Sequence, residues 1–165
     1  MWPVQTILHP TDFSDQAQNS FQLACGLASD LKARLIVLHV VPQLVAFTDD
    51  LVEYASPEHK VNVWENLRHL REIAQEGYDL EIEIDQAQGA PAGEILKAAR
   101  DNHCDLIVMG THGRSGLRHL LMGNVAEQII RRAPCPVITV SSPLSLKISS
   151  KARVPAESRA LVSSF

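Results

Sequence analysis

Between Val4 and Val140 short apolar runs alternate strictly with amphipathic ones, and this alternation constrains the fold more than any other feature of the chain. VQTILH at 4–9 and RLIVLHVV at 34–41 are rich in leucine and β-branched residues with little polar interruption, the pattern of strands buried on both faces of a parallel sheet. LEIEID at 80–85 alternates apolar with acidic residues and predicts a strand with one wet face, at a sheet edge. DLIVMG at 105–110 and CPVITV at 135–140 bring the predicted strands to five.

Helices fit between them. After Ser14, Ala17, Phe21, Ala24, Leu27, Ala28 and Leu31 recur at the helical period, with Ser14 or Asp15 as N-cap. A second run carries Val61, Trp64, Leu67, Leu70 and Ala74 inward and is predicted to stop at Gly77. A third starts near Pro91, a residue suited to the first helical turn, and buries Ile95, Leu96 and Ala99. Val125, Ala126, Ile129 and Ile130 mark a fourth, which ends before Pro134. Such a βαβα order implies parallel strands joined by right-handed crossovers, so the fold class is α/β: a single doubly wound sheet with helices on both faces. Ligands of such sheets sit beyond the carboxyl ends of the strands, where strand order reverses, which directs attention to the residues after strands one, two and four.

With 165 residues, 45% hydrophobic and 21% charged, the chain has the make-up of one compact domain. A formal net charge of −4 argues against a nucleic-acid partner, whose binding domain carries a basic patch. Cys25, Cys104 and Cys135 are odd in number, lie in or beside apolar segments and form no CxxC pair, which fits a reduced, cytoplasmic compartment. No apolar run approaches the ~20 residues of a membrane span, and the opening MWPVQTILHP has no signal-peptide pattern, so no membrane partner is expected.

After strand one, HPTDFS places Asp12 where the first helix begins, as a turn residue or as a polar group facing a ligand. After strand four comes GTHGRSGLRHLLMGN, 110–124. Gly110 and Gly113 let backbone amides approach an anion closely, and Gly123 directly precedes a helix whose first N–H groups, at Asn124, Val125 and Ala126, lack intrahelical partners. Turns and close packing call for glycine as well. His112, Arg114, Arg118 and His119 add positive charge; exposed loop arginines are also ordinary solvated residues, and at most one or two of these side chains, Arg114 among them, are expected to touch phosphate. The chain has no G-x-x-x-x-G-K-[ST] loop and no G-x-G-x-x-G after strand one, which disfavours a P-loop NTPase or a dinucleotide dehydrogenase. Its histidines show no HExxH or comparable spacing, so no metal is assigned to protein side chains. Ser115 in GRSGL misses the Gly-x-Ser-x-Gly elbow, and no catalytic residue is assigned.

Over roughly residues 3 to 141 the sequence resembles the universal stress protein family: ILHPTDFS its first strand and turn, DLIVMGTHGRSGL its fourth strand and loop, GNVAEQIIRRAPCPVITV its final helix and strand. ATP-binding members carry Gly, two residues, Gly, nine residues, Gly, then Ser or Thr. Here Gly110, Gly113 and Gly123 keep that spacing, but Asn124 takes the last position. The resemblance implies strand order 3-2-1-4-5 and an adenine nucleotide, ATP or another, in the switch-point cleft. It implies that Pro10, Thr11, Asp12, Val40 and Met109 border the adenosine, Asp12 accepting from the ribose and Val40 meeting adenine through its backbone. Gly110, Gly113, Gly123, Asn124 and Val125 would line or hold the phosphates. Asn124 is a poorer route to magnesium than a hydroxyl, so the change weakens metal involvement more than main-chain phosphate binding. The resemblance also implies a homodimer whose fifth strands, Pro136, Val137, Ile138, Thr139 and Val140, meet across a twofold axis.

Residues 142–165 lie beyond the family-like domain of 1–141 and read as a flexible, mildly basic tail or a short helix. The preferred reading of function is a stress-response regulator or docking module governed by adenine-nucleotide occupancy, with a nucleotide-free dimeric interaction module as the alternative. A slow ATPase is the third reading.

Overall fold

The computed structural model of the chain describes residues 3–42, 57–111 and 124–141, so the loop after strand two, residues 112–123 and the tail 142–165 lie outside the described residues. The elements run β1 (Thr6–Thr11), α1 (Asp15–Leu31), β2 (Arg34–Pro42), α2 (Pro57–Tyr78), β3 (Ile82–Gly89), α3 (Pro91–Asp101), β4 (Leu106–Gly110), α4 (Asn124–Arg132) and β5 (Val137–Val140). All strand pairs are parallel, and the five-stranded sheet has the order β3-β2-β1-β4-β5. The doubly wound α/β fold and the 3-2-1-4-5 order are therefore as the sequence and its resemblance indicated.

Two cores follow from the period of two along each strand. Ile7, Leu35, Val37, Leu106 and Val108 face α1 and α2, where they meet Phe21, Ala24, Leu67, Leu70 and Ala74. Leu8, Ile36, Leu38, Ile107 and Met109 face α3 and α4, where they meet Ile95, Leu96, Ala99 and Ile129. Neighbouring residues of one strand thus belong to opposite cores, which is why β1, β2 and β4 are apolar without alternation. Each fully buried large side chain, such as Phe21 or Leu38, contributes roughly 1.5–3 kcal/mol.

Local signals set the element ends. Ser14 is the N-cap of α1, its hydroxyl accepting from the Ala17 N–H at 3.3 Å. Pro91 opens α3. The Asp105 carboxylate accepts from the N–H groups of Gln5 at 2.8 Å and Thr6 at 3.0 Å, which ties the start of β1 to the start of β4.

Several side chains differ from expectation. On α2 the inward stripe is Leu67, Leu70 and Ala74 with half-buried Val63, whereas Trp64 is 59% exposed. One residue is about 100° of helix, so Val63 and Trp64 exchange the expected roles. Leu31 and Ile130 are exposed as well. Helix α2 runs past Gly77 to Tyr78, and the left-handed turn after it is made by Asp79 at φ 51°. Strand β3 starts and ends later than LEIEID, because Ile82–Gly89 pairs residue for residue with Leu35–Pro42 and polar residues are tolerated at an edge.

Candidate functional site

Strand β1 pairs with β2 over its whole length, Thr6↔Arg34 through Thr11↔His39, but with β4 only at Ile7↔Leu106 and Leu8↔Ile107. Pro10 has no N–H to give a ladder. At His9 a side chain takes over, with the imidazole Nδ1 donating to the Val108 carbonyl oxygen at 2.8 Å. The two central strands thus stop pairing before their carboxyl ends, at the point where strand order reverses and ligands of doubly wound sheets bind.

His9 is fully buried, and its ring lies 5.5 Å from that of Phe21. A carbonyl only accepts, so Nδ1 carries the proton, and Nε2 has no hydrogen-bond partner among the described residues. Burial lowers the His9 pKa from 6.5 to about 4, against the opposing pull of the Val108 carbonyl and the Asp12 carboxylate. The imidazole is neutral at physiological pH.

Beyond His9 the chain leaves the sheet through a tightly bonded turn. Asp12 Oδ1 accepts from the Ser14 hydroxyl at 2.6 Å and from the Ser14 N–H at 3.1 Å, and Thr11 Oγ1 accepts from the Phe13 N–H at 3.2 Å. Phe13 has φ 63°, a left-handed conformation that a bulky residue adopts only when its surroundings demand it. Its ring stacks on His39 with centroids 4.6 Å apart, and His39 Nδ1 donates to the Thr11 carbonyl oxygen at 2.9 Å. This set of contacts fixes the Asp12 carboxylate between β1 and the first turn of α1.

Val40 follows His39 in β2 and is buried in the core under α3, as is Met109 in β4. Their side chains are committed to packing, so any contact from Val40 to a ligand falls to its backbone. Gly110 ends β4 against the first turn of α1, where a β-carbon would lie 3.2 Å from the carbonyl carbon of Gln16. Thr111 continues the ladder, its N–H donating to the Val140 carbonyl oxygen at 3.0 Å. Its buried hydroxyl lies 3.3 Å from Gln16 Oε1 and 3.4 Å from the same Val140 oxygen, so one proton serves the end of β5 or the start of α1 at a time.

Asn124 is the first residue of α4, and its Oδ1 accepts from Gln128 Nε2 at 2.8 Å, one turn along the helix. Val125 is half-buried and packs against the α3–α4 core. Gly113, Arg114 and Gly123, together with His112, Arg118 and His119, lie outside the described residues.

The structure thus places Pro10 and Thr11 opposite Leu38 and His39 in the β1–β2 register, with Asp12 and Val40 each one residue beyond it, and Met109 and Gly110 opposite Thr139 and Val140 in the β4–β5 register. Sequence reasoning missed Phe13, Gln16 and His39. Only the run HPTDFS hinted at the first of these, because neither a positive φ nor a contact between strands has a periodic signature. No group of three or more histidine, cysteine or acidic residues suited to a metal ion occurs among the described residues.

Comparison with known proteins agrees with this architecture. The chain is 34% identical over 140 residues to universal stress protein MJ0531 of Methanocaldococcus jannaschii, covering 83% of this chain and 82% of that one. Among solved structures, the universal stress protein UspA of Lactobacillus plantarum superposes with a TM-score of 0.77 at 24% identity, over 85% of this chain and 99% of that one. A universal stress protein in complex with cAMP superposes at 0.67 and 24% identity, over 84% and 99%. One from Archaeoglobus fulgidus in complex with dAMP superposes at 0.57 and 21% identity, over 86% and 100%. The model described as the Universal stress protein family matches residues 3–141, and the chain belongs to that family.

Proposed function

We propose that this universal stress protein binds ATP or another adenine nucleotide at the carboxyl ends of β1, β2 and β4, and that occupancy regulates a homodimer or a docking surface. The observation that carries the reading is the Asp12 carboxylate, fixed through Oδ1 by Ser14 beside the point where β1 and β4 cease to pair. A carboxylate held there suits the hydroxyls of a ribose. Solved relatives with cAMP and with dAMP support the adenine class.

In this reading Pro10, Thr11, Asp12, the Val40 backbone and Met109 border the adenosine. Gly110, Gly113, Arg114, Gly123 and the amides of Asn124 and Val125 receive the phosphates, helped by the positive end of α4. Asn124 Oδ1 is engaged by Gln128, so this side chain would contribute little to holding a magnesium ion that accompanied a nucleotide. Hydrolysis, where it occurs, is slow. Pro136 to Val140 pair with their copies in a homodimer, an assembly that the exposed Ile138 on β5 favours. The protein works in the cytoplasm.

Thermal unfolding with magnesium-ATP, AMP, cAMP and GTP tests the site. A ligand at about 100 times its dissociation constant adds roughly 2.7 kcal/mol, a shift on the order of 5–10 °C for a domain of this size. A shift with adenine nucleotides that vanishes in Gly113→Asp supports the reading. No shift with any of them, in protein free of co-purified ligand, overturns it in favour of the nucleotide-free dimeric module.

A further inference from the structure

Trp64, 59% exposed, stands beside Arg68 and Arg71 on the flank of α2 that overhangs β3. These residues, with Glu65, Leu67 and Ile84, line a shallow groove of about 390 Å³. Its floor is apolar, since Leu67 and Ile84 belong to the core under α2. Its cations are weakly engaged: Arg68 Nε lies 3.9 Å from Glu72 Oε1 with both side chains well exposed, and Arg71 has no ion pair among the described residues. An exposed tryptophan flanked by arginines has the residue types that dominate binding energy at interfaces.

The groove borders β3, the outer strand of the sheet, which among the described residues pairs only with β2. An outer strand of eight residues, Ile82–Gly89, whose outer side is unpaired among the described residues, suits the addition of a further strand. The alternation along β3 separates charges by face. Ile82 and Ile84 point to the α2 side, in register with Leu35 and Val37, while Glu83 and Asp85 lie on the α3 side, in register with Ile36 and Leu38. The acidic residues of β3 therefore sit on the face away from the arginines, and among the residues that line the groove Arg68 and Arg71 outnumber the one acid, Glu65, so that its lining carries a net positive charge on a chain of net charge −4.

We propose that this ledge binds an extended, acidic segment of a partner protein that adds to the outer edge of β3. On the α2 side the segment presents an aromatic or branched aliphatic residue to Trp64 and Ile84, and glutamates or aspartates to Arg68 and Arg71. Its alternate residues face Glu83 and Asp85 and are neutral or basic. The charge pattern of β3 thereby prescribes the pattern of its ligand.

The test uses full-length protein carrying Trp2→Phe, which leaves Trp64 as the reporter because the chain has two tryptophans. The probes are blocked heptapeptides of the form Thr-Phe-Lys-Glu-Thr-Glu-Thr, with Tyr or Leu in place of Phe, and matched peptides with Lys in place of both Glu. The expected result is a saturable change in Trp64 emission with the glutamate peptides. Binding falls at least about tenfold with the lysine peptides, and by a similar factor in Arg68→Glu/Arg71→Glu, whose thermal midpoint stays that of the parent because both side chains are exposed. Absence of saturable binding up to on the order of 1 mM, or equal binding of the two peptide sets, overturns the proposal. Acrylamide quenching of the peptide-free protein identifies other occupants. Trp64 shielded in dilute monomer means the chain's own residues fill the groove, and shielding that grows with concentration means a second copy does; either result also overturns the proposal.

Discussion

A β-carbon added at Gly110 would stand 3.2 Å from the carbonyl carbon and the β-carbon of Gln16 and 3.3 Å from the Gln16 carbonyl oxygen. The end of β4 therefore lies close against the first turn of α1, and glycine at this point of the loop motif has a packing reason independent of any ligand. Gly110→Ala is expected to destabilise the nucleotide-free protein by about 1–3 kcal/mol, because backbone atoms rather than a flexible side-chain end must give way. Urea unfolding without ligand measures it. Unchanged stability with only a ligand shift lost would assign Gly110 to phosphate approach alone.

Asp12 and Ser14 separate a structural from a binding contribution in the same turn. Ser14→Ala removes the N-cap of α1 and the 2.6 Å bond to Asp12, and is expected to lower stability by about 1 kcal/mol while leaving most of a nucleotide-induced shift, because the Ser14 N–H still donates to Asp12 Oδ1. Asp12→Ala is expected to abolish that shift, since the carboxylate itself is lost. Paired thermal scans with and without magnesium-ATP read both quantities. A full shift in Asp12→Ala would remove this residue from the site.

Much of the scaffold was legible because its signals are local or periodic. Leu35 to Leu38 read as a strand covered on both faces, and they pack alternately into two cores. Ser14 read as a helix start, and it caps α1. Phase was harder: the run from Val61 to Ala74 admits an inward face containing either Val63 or Trp64, and propensity does not separate positions one residue apart. Within the candidate site, sequence pattern alone pointed to Asp12 and to the glycines, of which Gly113 and Gly123 lie outside the described residues. Its supports, Phe13 on His39 and Thr111 between Gln16 and Val140, are contacts between residues far apart in sequence or strained within one turn. Sequence pattern carries no such information. Strand order likewise came from family resemblance rather than from hydrophobicity.

Ile138 tests the β5 edge. It is among the exposed large hydrophobic residues, on a strand whose outer side is unpaired among the described residues. Ile138→Asp is expected to convert a dimer to monomer while changing the stability of the subunit by no more than about 0.5 kcal/mol, the range of ordinary surface substitutions. Sedimentation velocity across a concentration series measures it. A parent protein that is already monomeric, or a variant dimer of unchanged affinity, would remove β5 as the interface.

Thiol reactivity should rank the cysteines by burial. Burial pushes the thiol pKa of all three upward, Cys104 to about 11, so little thiolate exists at neutral pH. Cys135 is partly exposed, while Cys25 and Cys104 are buried. An aromatic disulfide reagent at neutral pH is expected to label Cys135 first and slowly, and Cys25 only on unfolding. Rapid labelling of Cys25 in the folded protein would contradict its place on the buried face of α1.

His9 should give the fold a distinct sensitivity to acid. Its folded pKa of about 4 lies below the 6.5 of an unperturbed histidine, chiefly because burial opposes the charge. Between these values the unfolded chain takes up a proton that the folded chain refuses, so stability falls as pH is lowered through 6.5 towards 4 and is fully present above that window. The slope approaches about 1.4 kcal/mol per pH unit, and the total is on the order of 3 kcal/mol. Carboxylates also weaken the protein on acidification, so the quantity to read is a difference. His9→Gln keeps a donor near the Val108 carbonyl, lacks the titrating ring, and is expected to lose the part of the slope between pH 6.5 and 4 while being less stable at neutral pH. Urea midpoints of parent and variant at several pH values supply that difference. Parallel curves would mean that His9 takes up its proton within the folded protein, which the buried and unpartnered Nε2 opposes.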